Sequence, residues 1–95
     1  MPYVLVIRHK VEDYARWKTA FDEGIAMRKA GGEKSYRIFH TDDDPNNLVL
    51  LFEWDNLDNA RKYLKSEILR EAMQQAGVSK EVDISLLEEV EKESV

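Results

Sequence analysis

The stretch LVLLFEWD, Leu48–Asp55, decides the fold, because one short run carries apolar side chains at consecutive positions. It is bounded by turn formers and rich in aliphatic and aromatic residues, which reads as a β-strand. Alternation along a strand sends Leu48, Leu50, Phe52 and Trp54 to one face and Val49 and Leu51 to the other, so both faces are apolar. Upstream, Asp42–Asn47 (DDDPNN) is a run of turn residues in which Pro45 cannot donate to a ladder. Glu33–Thr41 (EKSYRIFHT) precedes it as another strand, so the two make a hairpin with a loop around Asp43–Asn47. Side-chain matching predicts Arg37 opposite Glu53, Phe39 opposite Leu51 and Thr41 opposite Val49. The same register places Tyr36 opposite Trp54, Ile38 opposite Phe52 and His40 opposite Leu50.

Outward from the hairpin, Tyr3–His9 (YVLVIRH) reads as a first strand, with Tyr3, Leu5 and Ile7 against Val4 and Val6. Asp13 offers an N-cap to a helix marked by Tyr14, Trp17, Phe21 and Ile25, ending near Ala30 before Gly31-Gly32. After the hairpin, Asp55 or Asn56 can cap a helix bearing Leu57, Ala60 and Leu64. Ser66 starts a further helical stretch with Leu69, Ala72, Met73 and Ala76, closed by Gly77. A final strand, about Val82–Val90, turns Val82, Ile84 and Leu86 to one face; Glu88 is in phase with them and is expected inward or at a bulge. The order β-α-β-β-α-β predicts a single α+β domain over residues 1–95 with a ferredoxin-like, four-stranded antiparallel sheet and helices on one face.

Two helices cover one face of such a sheet. Both faces of the first and third strands are apolar, so whichever face the helices leave open would put on the order of several hundred Å² of aliphatic surface in water, more than a monomer normally tolerates. The expectation is a symmetric homodimer packed through its sheet faces; the plainer account is that central strands are simply apolar.

Charge narrows the partners. The 95 residues carry a formal net charge of -5. Residues 81–95 hold six carboxylates and one lysine, so that segment accounts for the whole imbalance and the body is neutral. Neither nucleic acid nor an anionic membrane surface finds a basic footprint here. Carboxylates on an edge strand also discourage uncontrolled strand pairing. No apolar run approaches the ~20 residues of a membrane span, and MPYVLVIRHK lacks the basic n-region of a leader. The absence of cysteine makes a reducing, cytoplasmic setting the expectation.

The chain resembles the dimeric α/β-barrel superfamily, in particular its small antibiotic-biosynthesis-monooxygenase-like proteins. The resemblance is carried by DYARWKTAFDE (Asp13–Glu23), DDPNNLVLLFEWD (Asp43–Asp55), SEILREAMQQAGV (Ser66–Val78) and LLEEVE (Leu86–Glu91), and spans essentially the whole chain. It implies a dimeric α/β barrel with a pocket between sheet and helices in each protomer. The superfamily includes cofactor-free monooxygenases of aromatic polyketides, haem-degrading enzymes, haem peroxidase relatives, lactone isomerases and members of no known activity. Haem-degrading members place an iron-ligating histidine on a helix; Leu57–Gln75 contains none, which disfavours haem. The resemblance also implies that the last strand and tail, Glu88–Glu93, reach towards a basic helix such as Arg61–Lys65 across the dimer.

Candidate chemistry is sparse. His9 and His40 sit at strand ends, level with each other but two strand spacings apart, ~9.5 Å, which is too far for one metal. Either could move a proton from a phenolic substrate, or could be a strand-end side chain wetted by solvent. Trp54, Tyr36 and Tyr3 could form an aromatic wall for a flat ligand or serve as core. Arg37 with Glu53 reads as a cross-strand ion pair or an anion clamp, and Arg8 as a residue at a pocket mouth or an exposed strand end. Trp17 and Phe21 read as core. No metal motif, phosphate loop or dinucleotide fingerprint occurs, so no cofactor is expected. Two function classes stay open: a non-catalytic binding module for a small hydrophobic or aromatic molecule, and a cofactor-independent monooxygenase or isomerase acting on an aromatic polyketide or quinone-like compound.

Overall fold

The computed structural model describes residues 3–75 and 77–95. Of the expected helix positions, Ala76 and the side chain of Ala72 fall outside the described residues, as does the side chain of Glu81. The hairpin strand is longer than its apolar run: β3 covers Asp44–Trp54 and pairs with β2, Glu33–Thr41. β1 (Tyr3–Val11) lies on the other side of β3, and β4 (Val78–Glu88) pairs with β1, giving the order β2-β3-β1-β4. All three pairings are antiparallel. Helices α1 (Tyr14–Glu23) and α2 (Ile25–Gly31) connect β1 to β2, and α3 (Leu57–Leu64) and α4 (Glu67–Gln75) connect β3 to β4. The ferredoxin-like arrangement expected from the sequence is therefore present, each helical crossover being split in two.

The expected caps are in place. Asp13 Oδ1 accepts from the Ala15 amide at 3.0 Å, Asn56 Oδ1 from that of Asn59 at 2.8 Å, and Ser66 Oγ from that of Leu69 at 3.2 Å. The first helix does not run unbroken to Ala30. It breaks at Gly24, whose amide closes a tight turn on the Phe21 carbonyl at 3.1 Å and whose own carbonyl opens α2 by accepting from Arg28 N at 3.0 Å. Glycine is a poor helix interior residue, and here a Cβ would lie 2.9 Å from Arg28 Nη1. The guanidinium occupies the room a side chain would need.

The predicted hairpin register is two residues off. Arg37 faces Leu51 rather than Glu53, Tyr36 faces Phe52, Ile38 faces Leu50, Phe39 faces Val49 and His40 faces Leu48. The turn is tighter than DDDPNN suggests: Thr41 pairs with Asp44, leaving Asp42 and Asp43 between them. Thr41 Oγ1 donates to the Asp44 carbonyl at 3.2 Å, and Asp44 Oδ1 accepts from Asn46 N at 2.9 Å. Asn46 Oδ1 then takes the Tyr14 amide at 3.1 Å, tying the hairpin to the start of α1. A shift of two leaves every side chain on its predicted face. Register irregularities between Glu33 and Ser35 and between His40 and Thr41 absorb the difference. The last strand also starts earlier than expected, at Val78, and ends at Glu88, which is exposed opposite Tyr3.

Leu5, Ile7, Leu48, Leu50, Phe52 and Trp54 form the buried face, covered by Trp17 and Phe21 of α1 and Ala60 of α3. Burying side chains of this size is worth ~1.5–3 kcal/mol each, enough to fix which face meets the helices. On the other face Val4, Val6, Val49 and Leu51 are half-buried by their sheet neighbours alone, and Phe39 and Leu87 are 40% and 48% exposed. Among the described residues no helix is long and apolar enough to cross a membrane.

Candidate functional site

Between α1, α2, α4 and the β1–β3 centre of the sheet lies a narrow cavity of about 60 Å³. Its walls are Ile7, Leu50 and Phe52 from the sheet, Trp17, Ala20 and Phe21 from α1, Met27 from α2, Tyr63 from α3, and Leu69 and Met73 from α4. The aromatic rings form a connected surface. Trp17 stacks on Phe21 with centroids 4.8 Å apart, Phe21 meets Phe52 at 6.0 Å, and Phe52 meets Tyr63 at 6.5 Å. Trp17 and Phe21 are thus core residues that also line a cavity.

His9 and Arg28 enter this otherwise largely apolar surround. His9 is in phase with Leu5 and Ile7 on a central strand, and the Trp17 ring covers it edge-on at 5.9 Å. It is 3% exposed, and neither Nδ1 nor Nε2 has a hydrogen-bond partner. Burial pushes its pKa down to about 4, so the ring is neutral at pH 7. A neutral imidazole carries one donor and one acceptor nitrogen, and here both are unused.

Arg28 is the second. It follows Phe21 by seven residues, on the helix face that meets the core, and is 4% exposed. Its guanidinium lies 3.9 Å over the Phe21 ring; Nη1 donates to the Phe21 carbonyl at 2.9 Å and Nε to Glu33 Oε1 at 3.0 Å. Nη2 has no partner. Burial raises the Glu33 pKa while the Arg28 charge and hydrogen bond pull it down, the burial contribution being the larger. Tyr63 is pushed up to about 12 by burial, opposed by Arg28 and reinforced by Glu33.

The sequence-predicted candidates divide. His9 lines the cavity rather than wetting in solvent. His40 is level with it, both facing Leu48, but is exposed on the edge strand with Nδ1 2.7 Å from the Thr41 carbonyl. Tyr36 and Trp54 do not wall the cavity: Tyr36 packs edge-on against Phe21 at 5.0 Å, and Trp54 is buried beside Tyr63 at 5.2 Å. Arg8 and Arg37 are exposed on the opposite face, where Arg37 stacks over Phe39 at 4.8 Å. The shifted register separates Arg37 from Glu53, whose Oε2 instead accepts from Ser35 Oγ at 3.3 Å. Arg28, Glu33 and Tyr63 were missed. The available signal was a charged residue in phase with Trp17 and Phe21, followed five positions later by a carboxylate at the start of a strand. Among the described residues no three His, Asp or Glu side chains cluster as metal ligands would.

No family model matches the sequence, and no curated protein matches it. Solved structures match over nearly the full length. SnoaB, a cofactor-independent oxygenase from Streptomyces nogalater, superposes with a TM-score of 0.78 at 17% identity, covering 96% of this chain and 95% of that one. Rv0793 from Mycobacterium tuberculosis gives 0.68 at 18% identity, covering 99% of this chain and 100% of that one. A candidate antibiotic biosynthesis monooxygenase from Deinococcus radiodurans gives 0.65 at 14% identity, covering 98% and 97%. The chain has the fold of these proteins, in agreement with the resemblance read from its sequence.

Proposed function

We propose that the protein binds a small planar aromatic molecule between sheet and helices. The observation that carries this reading is the pair of deeply buried, unpaired polar groups, His9 and Arg28 Nη2, in one aromatic-lined cavity. Leaving such a group without a partner costs ~1–3 kcal/mol, and a ligand with an oxygen at its ring edge supplies what each lacks. The ring must part the wall to enter. Met27, at the mouth and 40% exposed, and Met73 are the side chains suited to move, being unbranched and polarizable. The reading calls for no cofactor, and a cytoplasmic setting rests on the cysteine-free sequence.

Tryptophan emission, with Trp17 in the cavity wall, provides the test. Titration with hydroxyaryl ketones is expected to quench it with micromolar affinity, and His9→Leu to weaken binding about tenfold. A panel of flat hydroxyaryl ketones that all fail to bind would sink the proposal.

A second reading is favoured by the place of His9 in the cavity wall. A buried neutral imidazole can take a proton from an acidic C–H of the bound ring, leaving a delocalised carbanion that reacts with dioxygen. A methylene thereby becomes a carbonyl, with the second oxygen atom leaving as water. Oxygen uptake with anthrones, abolished in His9→Leu and retained in His40→Ala, is the expected result. Retention in His9→Leu removes this reading.

The same proposal includes a homodimer through the outer sheet face. The support is the half-buried strip Val4, Val6, Val49 and Leu51 extended by exposed Phe39 and Leu87, rimmed by Arg8, Arg37 and Asp83.

A further inference from the structure

On the far side of Arg28 and Tyr63 from the cavity lies a wider open cleft of about 360 Å³, between α2, α3 and the end of β3. Met27, Arg28 and Tyr63 line both spaces, so a thin wall of three side chains separates them. The cleft's polar lining is unbalanced. Arg28 and Trp54 both line it, and each keeps a donor buried behind the cleft wall without an acceptor, Nη2 and Nε1, while Lys62 stands exposed at the rim. The other polar groups are largely engaged: Ser66 Oγ donates to the Tyr63 carbonyl at 2.8 Å and accepts from Leu69 N at 3.2 Å. Asn59 Nδ2 donates to both Asp55 oxygens at 3.1 Å. Among the described residues no carboxylate lines the cleft; Asp55 is held by Asn59, and Glu33 sits on Arg28 Nε. Two orphan donors and a lysine with no lining carboxylate fit an acceptor-only, negatively charged group.

We infer that this cleft binds a carboxylate, and that the ligand is an aryl carboxylic acid whose ring lies in the aromatic cavity and whose acid group passes the Arg28–Tyr63 wall. This rests on the aromatic-ligand reading above and adds a class to it. One carboxylate oxygen takes Arg28 Nη2, the other takes Trp54 Nε1, and Lys62 contributes a nearby positive charge.

The test compares 2-naphthoate with 2-acetylnaphthalene, a neutral isostere, by calorimetry at pH 7. The inference expects the acid to bind about tenfold tighter, with the advantage falling as salt is raised. Trp54→Phe should erase most of that preference while leaving the ketone's affinity within about twofold. Lys62→Met, a surface change, should reduce the preference about threefold and flatten its salt dependence. Equal binding of acid and ketone, unmoved by either variant, overturns the carboxylate cleft and leaves the aromatic cavity standing. Failure of both compounds to bind at millimolar concentration overturns the cavity reading and the cleft together.

Discussion

The covered centre of the molecule and its edge strand β2 carry the same residue types with opposite fates. On the helix-covered side His9 and Arg28 are buried, held in place by ring and backbone contacts, and each retains an unused hydrogen-bonding atom. At the uncovered periphery His40 and Arg37 are exposed, the first beside its neighbour's carbonyl and the second spread over Phe39. What separates them is cover and strand position. β1 is central and lies under Trp17, whereas β2 is an edge with no neighbour beyond it. A titratable residue acquires chemical character from what is packed on it, which residue type alone does not specify.

The contrast can be broken most strongly at Glu33. Glu33→Ala leaves the Arg28 charge buried without its carboxylate and should cost ~3–5 kcal/mol in urea unfolding. Replacing both, Arg28→Met with Glu33→Leu, should recover much of that loss. A single variant as stable as wild type would mean that the pair is solvated.

His9 gives the next largest effect and a sign. Its folded pKa, about 4, lies below the ordinary 6.5, so between those values the unfolded chain binds the extra proton. Stability is therefore full above pH 6.5 and is lost as pH falls towards 4, by ~3 kcal/mol at most. His9→Leu should flatten that part of the pH–stability curve. An unchanged slope would place the titration elsewhere.

Leu51→Lys probes the uncovered face at its centre, where Leu51 lies between Val6 and Arg37. The proposed dimer should weaken at least a hundredfold in sedimentation, ~2.7 kcal/mol, with the fold retained. A wild-type chain that is monomeric at micromolar concentration would show that this face needs no cover. The smallest effect belongs to Arg37→Ala, an exposed cation–π contact worth ~0.5–1 kcal/mol, and a loss above 2 kcal/mol would put Arg37 in a role that its exposure does not suggest.

Much of the fold was legible because its determinants are local. Asp13, Asn56 and Ser66 cap the helices that their side chains predict, and the two apolar faces of β3 follow from strict alternation. The hairpin register was not legible for a related reason: a period of two is unchanged by a slip of two, so the pattern assigns faces without assigning partners. The tight turn at Asp42-Asp43, closed where Thr41 pairs with Asp44, breaks that degeneracy, and six consecutive turn formers offer more than one place for it. The site was less legible still. His9 was named but not preferred over His40, and Arg28 was overlooked, because both depend on which helix lies over which strand.

Gly24 offers a remote handle on the site. The usual stabilising exchange at a helical glycine is alanine, and the backbone there, at φ -88 and ψ -3, would accept it without strain. The added methyl, however, would press on Arg28 Nη1 at 2.9 Å, a group already fixed by the Phe21 carbonyl. Thermostability screens that favour helix-forming residues would thus retune the Arg28 guanidinium from a position that carries no functional group at all.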